Sequence, residues 1–95
     1  MEKRLGVVSI VLERSVAPVD QVNALLSGFD DEVVGRLGLP YPDRGVNVIT
    51  VVVDATVERL SALTGRLGKV PGVQVRSLMS RIPPAGASDA GAPGD

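Results

Sequence analysis

The chain contains no cysteine, no histidine and no tryptophan, and only one tyrosine and one phenylalanine. Zinc, copper, nickel and iron–sulfur sites normally rest on Cys or His side chains, so the sequence predicts no site for these metals. Disulfides are excluded, as are nucleophilic centres built on a Cys–His pair or a Ser–His–Asp triad. We therefore expect a protein without a metal and without a cofactor.

The chain also lacks an excess of positive charge and a long apolar run. Ten Lys and Arg residues stand against eleven Asp and Glu residues, for a net charge of -1. A nucleic-acid-binding protein usually carries a basic excess, so we expect no direct contact with nucleic acid. No apolar run reaches the roughly 18 residues of a membrane span. The first apolar run is followed at once by Glu13 and Arg14, which is untypical of a signal peptide, and we predict a cytoplasmic protein.

The apolar residues that are present fall into a clear pattern of strands and helices. Residues 5–12 form a continuous apolar run, typical of a strand buried on both faces, and residues 46–53 form a second such run. Residues 31–39 predict a weaker strand, and the turn formers of residues 40–45 predict a loop or wide hairpin after it. Pro71-Gly72 predicts a turn, and residues 73–79 predict a final, alternating strand. Between them, apolar side chains recur at helical spacing in two segments: Val19, Val22, Leu25, Leu26 and Phe29 in the first, Val57, Leu60, Leu63 and Leu67 in the second.

This order, β-α-β-β-α-β, predicts an α+β protein with the ferredoxin-like arrangement, in which a four-stranded antiparallel sheet carries two helices on one face. In that topology the first and third strands lie in the middle of the sheet, and these are the two most apolar strands of the sequence. We predict one domain over residues 1–79. Residues 80–95 are mostly Pro, Ala, Gly, Ser and Asp, which predicts a disordered tail.

The predicted topology leaves one face of the sheet without helices, and that face is apolar. If alternate residues of the first strand point towards the helices, then Val7, Ser9 and Val11 point away from them. A monomer rarely exposes so much apolar surface, so we predict that the protein associates with itself through this face, as a dimer or tetramer. The predicted self-association face consists of Val7, Ser9, Val11, Val48, Thr50 and Val52.

The stretch Gly65-Arg66-Leu67-Gly68 resembles motifs that bind phosphate or nucleic acid, but its place in the chain argues against both. A phosphate loop precedes a helix, whereas these glycines end one, and a GxxG clamp needs a second helix after it. We predict instead that Gly68 adopts the left-handed conformation of a helix C-cap and that Gly65 allows close packing. An anion site also stays open as an alternative, built from Arg66, Lys69 and Arg76.

Several segments together resemble a known family. LTGRLGKVPGVQVRS (residues 63–77), the MEKR start, VNALLSGF (residues 22–29) and RLGLP (residues 36–40) followed by a loop with Gly45 are similar to the iron-only hydrogenase system regulators. The resemblance covers roughly residues 1–79. It implies a ferredoxin-like fold of the ACT-like type, related to the C-terminal domain of nickel-responsive regulators. Such domains associate through sheet edges or faces and bind small effectors where subunits meet.

The sequence departs from these relatives in ways that limit what the resemblance implies. Nickel-responsive relatives bind the metal through His and Cys, and this chain has neither, so nickel sensing is not implied. The glycine-containing loop of amino-acid-binding ACT domains is replaced by ERSVAPVD (residues 13–20). The chain has no helix-turn-helix or ribbon-helix-helix segment, so regulation of transcription would need a partner.

These observations favour a small oligomeric, ACT-like regulatory or effector-sensing module without its own DNA-binding domain. The alternative is a protein–protein adaptor that binds no small ligand, and the residues alone do not separate the two. For an effector, the candidates are residues of the predicted second strand and of the turn-rich loop after it. The candidate ligand-binding residues are Arg36, Tyr41, Asp43 and Arg44.

Catalysis is the least favoured hypothesis. Acylphosphatase-like enzymes share the topology and use an Arg with a glycine-rich loop after the first strand, and although Arg14 lies there, its loop is not glycine-rich. The acidic run of residues 30–32 offers oxygen ligands to Mg²⁺. Adjacent side chains of a strand point to opposite faces, however, so a solvated charge run is the better interpretation. We predict that the protein is not an enzyme.

Overall fold

The structure, a computed structural model, describes residues 2–81. Its element order confirms the predicted β-α-β-β-α-β arrangement, with a short 3-10 helix on either side of the second strand, at Asp30–Glu32 and Pro42–Arg44. From residue 82 onward the predicted tail lies outside the described residues. The elements are β1 (Arg4–Glu13), α1 (Val19–Ser27), β2 (Val33–Tyr41), β3 (Val46–Ala55), α2 (Val57–Gly68) and β4 (Val73–Met79).

The four strands form one sheet in the order β2-β3-β1-β4, and all neighbours are antiparallel. This is the ferredoxin-like topology, with the two most apolar strands in the middle, as predicted. The register between β1 and β3 sets Ile10 beside Ile49 and Ser9 beside Thr50. Since side chains alternate along a strand, this register decides which residues share each face of the sheet.

The core lies between one face of the sheet and the two helices. Alternate residues of β1 and β3 are buried there, and Ile10, at the centre of β1, is fully buried. The other face of both central strands is half-buried or exposed, so the burial on both faces that the apolar runs predict is wrong. The core is completed by the apolar stripes of the helices and contains Val8, Ile10, Leu12, Val22, Leu26, Ile49, Val51, Val53, Leu60, Leu63 and Leu67, among others.

The glycine roles predicted for the end of α2 are wrong. Gly68 is the last helical residue, and Lys69 caps the helix with φ -89°, in the right-handed region. A side-chain carbon added at Gly65 would meet no atom within 4 Å, so no close packing depends on it. Within residues 2–81 the left-handed conformation occurs at Gly45 and Gly72 instead, where each turn leads into the following strand.

The boundaries of β2 also differ from the prediction. Residues 30–32 form a 3-10 helix, so the strand begins at Val33, and its pairing with β3 extends through Pro40 and Tyr41, which were predicted to lie in a loop. A bulge between Val33 and Gly35 shifts the register, as a glycine within a strand often indicates.

Arg59 of α2 ties that helix to the connection between α1 and β2. Its Nε donates to Glu32 Oε2 at 2.9 Å, and its Nη2 donates to Glu32 Oε1 at 3.2 Å and to the carbonyl oxygen of Gly28 at 3.3 Å. The guanidinium carbon also lies 4.2 Å from the ring centroid of Phe29. The bidentate contact with Glu32 and the stacking on Phe29 together fix the plane of the Arg59 guanidinium.

The Arg59–Glu32 ion pair predicts how stability depends on pH. The hydrogen bond from Arg59 holds the pKa of Glu32 below its ordinary value. A carboxyl whose pKa is lower in the folded state stabilises the fold above its unfolded pKa, and this stabilisation is lost as the pH falls through the folded pKa. Between about pH 6 and about pH 3, the wild type should therefore lose more unfolding free energy than Glu32→Gln. Urea unfolding followed by circular dichroism measures the free energy of unfolding of both proteins at each pH. If it changes with pH by the same amount in the wild type and in Glu32→Gln, the ion pair contributes nothing to stability.

Candidate functional site

The sheet has one face without helices, which we call the open face. The register brings Val7 beside Val52 and Val11 beside Val48, with Ser9 beside Thr50 between them. None of these side chains belongs to the core, and each is half-buried or exposed. The structure therefore gathers on this face all six residues predicted to form it.

The outer strands enlarge this face with residues that the sequence analysis did not single out. On β2, Leu37 pairs with Thr50 and Leu39 pairs with Val48, and these leucines are 65% and 53% exposed. On β4, Leu78 pairs with Val7 and is 68% exposed. The alternation of Leu37, Leu39 and Tyr41 could have indicated a shared face, but only the register shows which face it is.

Polar and charged side chains occupy the margin and the centre of the open face. Arg76 and Gln74 lie on the edge strand β4, and Glu13 and Asp54 lie at the ends of the central strands. At the centre, the hydroxyl pair formed by Ser9 and Thr50 separates two apolar rows. An apolar area with a charged rim is typical of surfaces that bind another protein.

The structure does not bring the four candidate ligand-binding residues together. Arg36 pairs with the buried Val51, so it lies on the helix-covered side of the sheet, whereas Tyr41 pairs with Val46 on the open face. Arg36 and Tyr41 are also five positions apart along β2, a distance of about 16 Å between their backbones. Asp43 and Arg44 are exposed in the 3-10 helix after Tyr41. A contact between these residues and an effector stays a prediction.

Arg36 lies in a hollow between α1 and the edge strand β2, which we call the edge depression. Its volume is about 300 Å³, and Arg36 Nη2 donates to Asn23 Oδ1 at 3.0 Å within it. In the sequence, Gly38 indicated a bulge or a close backbone approach, but its pairing with Ile49 is regular and an added carbon would meet no atom within 4 Å. The sequence does not indicate Asn23, because its proximity to Arg36 depends on how α1 packs beside β2. The depression is lined by Val19, Asn23, Arg36, Gly38, Leu39, Pro40, Asn47, Val48 and Ile49.

The other candidate sites are not assembled. Arg76 lies on the open face, whereas Arg66 and Lys69 lie at the end of α2, on the opposite side of the sheet. In the acidic run, Glu32 is bound by Arg59. Over residues 2–81, no three acidic side chains cluster closely enough to hold a metal ion.

Comparisons with known proteins identify relatives. Residues 4–77 match the family model described as "TM1266-like: Iron-only hydrogenase system regulator, putative". Among solved structures, the uncharacterized protein TM1266 from Thermotoga maritima is 32% identical, with a TM-score of 0.79; the match covers 82% of this chain and 98% of that one. No curated protein matches the chain. In residues 2–81, neither helix is long and apolar enough to span a membrane.

Proposed function

The chain belongs to the TM1266-like family of iron-only hydrogenase system regulators, and from this premise we propose that it is a regulatory module that acts as an oligomer. In this proposal copies associate through the open face, as a dimer or tetramer, and the assembly responds to a small effector in the cytoplasm. In this proposal the module regulates without a DNA-binding domain and without catalysis. The observation that carries the proposal is the apolar open face, with its exposed leucines on both edge strands.

The size of the open face is sufficient for a small dimer interface. Four strands spaced 4.8 Å apart span about 14 Å between the outermost axes, and the face extends about 27 Å along β1. Allowing for the width of the outer strands, two such faces bury about 1,000 Å² in total, near the lower limit for a specific interface. At about 500 Å² per copy, the face is comparable to the largest apolar patch of a typical monomer, which is often functional.

The pattern of the open face suits a second copy. A two-fold axis through its centre sets Ser9 and Thr50 of one copy against the same small residues of the other. The valines on either side of Ser9 and Thr50 then meet valines of the other copy. None of the six residues of the predicted self-association face is charged. The charges of the margin remain at the rim, where solvent reduces the cost of contact.

Leu37→Glu is expected to convert the oligomer into a monomer, because it places a carboxylate within the proposed interface. Val57→Glu is the matched control, because it adds the same charge at an exposed position outside the open face. Val57 is on α2 and is 51% exposed, compared with 65% for Leu37. Sedimentation measurements at micromolar concentration should show wild type and Val57→Glu as the same oligomer.

The contrary result is a wild type that is monomeric at micromolar concentration. It would rule out self-association through the open face and favour the adaptor function, in which the same face docks a different protein. Recovery of one stoichiometric protein partner would then identify what covers the face.

A further inference from the structure

We propose that the edge depression binds a small organic carboxylate with a short apolar chain. The inference deepens the proposed function, since it names the chemical class and the site of the effector, and it rests on that function only for the regulatory meaning of binding. Binding itself requires neither the open face nor an oligomer. Guanidinium, amide and apolar groups converge there on an unfilled space, the combination typical of small-molecule sites.

The space exists because Gly38 has no side chain, whereas Arg36 and Pro40 on either side of it place their side chains on the helix side of β2. Gly38 pairs with Ile49, so a side chain at this position would point to the helix side of the sheet. A carbon added to Gly38 would meet no atom within 4 Å. At Gly38, therefore, no side chain fills the space between Arg36 and Pro40 on the helix side of β2.

Arg36 supplies the group that recognises the anion. Asn23 accepts one hydrogen bond from Nη2 of this guanidinium, which leaves the second N–H of Nη2 and the N–H groups of Nε and Nη1 available to a ligand. Within residues 2–81 the ion pair between side chains is that of Arg59 with Glu32, so no carboxylate of the described chain neutralises Arg36. A planar guanidinium binds a carboxylate through two parallel hydrogen bonds, which here would come from the free N–H of Nη2 together with Nε or Nη1.

The rest of the lining selects the remainder of the ligand. Val19 and Ile49 offer apolar surface beside Gly38, and Asn47 offers an amide. Arg36 is the single charged residue among those that line the depression, which matches a monoanion better than a phosphate dianion. At about 300 Å³ the depression is at the lower limit for ligand sites, so the ligand must be small.

The test uses 3-methylbutanoate as the probe, with 3-methylbutanamide and inorganic phosphate as comparison compounds. Each is titrated into ¹⁵N-labelled full-length protein, and amide shifts are followed by NMR. We expect the carboxylate to give saturable shifts at the backbone amide of Gly38 and the side-chain amides of Asn23 and Asn47. The neutral amide should give none, since it lacks the charge that Arg36 binds. Equal shifts with phosphate would overturn the assignment to a carboxylate, and no saturable shifts would overturn the site.

Two variants and a matched control locate the binding. Gly38→Val fills the depression and Arg36→Gln removes the charge, and each should weaken carboxylate binding at least about tenfold. Gly35→Val makes the same change on the same strand, also where an added carbon meets nothing within 4 Å, but towards the open face. Gly35→Val should leave the carboxylate affinity unchanged. If Gly35→Val and Gly38→Val weaken binding equally, the carboxylate does not bind in the edge depression.

The outcome is distinguishable from that of the proposed function. Gly38→Val alters the helix side of the sheet, so it should weaken carboxylate binding at least about tenfold while the oligomeric state stays that of the wild type. Leu37→Glu should do the reverse. If the wild type is monomeric and still binds the carboxylate, the proposed oligomer is refuted and the proposed binding site is supported.

Discussion

Gly72→Ala should lower the free energy of unfolding by about 3 kcal/mol, because its single added carbon meets two separate obstacles. The backbone of Gly72 has φ 75°, a left-handed conformation that costs an L-residue about 1–2 kcal/mol. The new carbon would also lie 2.9 Å from the backbone nitrogen of Ala17 and 2.9 Å from Cβ of Val16. Since both are at or next to the main chain, no side-chain rotation relieves the clash.

The position of Gly72 leaves the chain little freedom to adjust. Its carbonyl oxygen accepts a hydrogen bond from the backbone N–H of Glu13 at 2.8 Å, where β1 ends. A shift of the Pro71–Gly72 turn would break this bond and move the start of β4, whose Val73 pairs with Leu12. The strain therefore stays at the turn, or part of the sheet register is lost.

Gly45→Ala separates the two costs. Gly45 also has a left-handed backbone, φ 66°, but an added carbon there would meet no atom within 4 Å. It should cost only the conformational penalty, about 1–2 kcal/mol. Urea unfolding followed by circular dichroism compares the variants, since the chain has no tryptophan. Equal losses for Gly72→Ala and Gly45→Ala would show that the close contact in the Gly72 turn relaxes freely.

The sequence predicts the architecture because each local pattern and the topology point to the same answer. The apolar run around Ile10 and the one around Val51 identify the central strands, and helical spacing of residues such as Leu60 and Leu63 identifies α2. Once the topology is known, alternation along β1 and β3 places alternate valines on the open face: Val7, Val11, Val48 and Val52. Thr56 accepts a hydrogen bond from the backbone N–H of Arg59 at 3.2 Å, and threonine is a preferred residue for capping the N-terminus of a helix.

What the sequence does not predict depends on register and on contacts between distant segments. The sequence predicts that the second strand ends at residue 39, whereas β2 continues through Tyr41. Arg36 and Tyr41 are therefore five residues apart in one strand and lie on opposite faces of the sheet, so they cannot share a site on either face. Asn23 and Arg36 are thirteen residues apart and meet through the packing of α1 on the sheet. Gly72 had an ordinary turn signal, and only its neighbours reveal the close approach.

Leu67→Ala is the second substitution with a large expected effect, and its interest lies in the comparison with Leu78→Ala. Leu67 is fully buried between α2 and the sheet, so removing three carbons there leaves a cavity and should cost about 3 kcal/mol. That is a large share of the roughly 5–15 kcal/mol that stabilises a typical domain. Because the core lies within one copy, unfolding experiments should show this loss equally at every protein concentration.

Leu78→Ala removes the same three carbons from the open face, where the leucine is 68% exposed. In an isolated monomer it should cost less than about 0.5 kcal/mol, because little surface is uncovered. If copies cover this face, the wild type gains stability with concentration by mass action, and Leu78→Ala loses part of that gain. Its deficit relative to wild type should therefore grow between concentrations below and above the association range, whereas that of Leu67→Ala stays constant. A deficit for Leu78→Ala that is small and constant would mean that no second copy packs on Leu78.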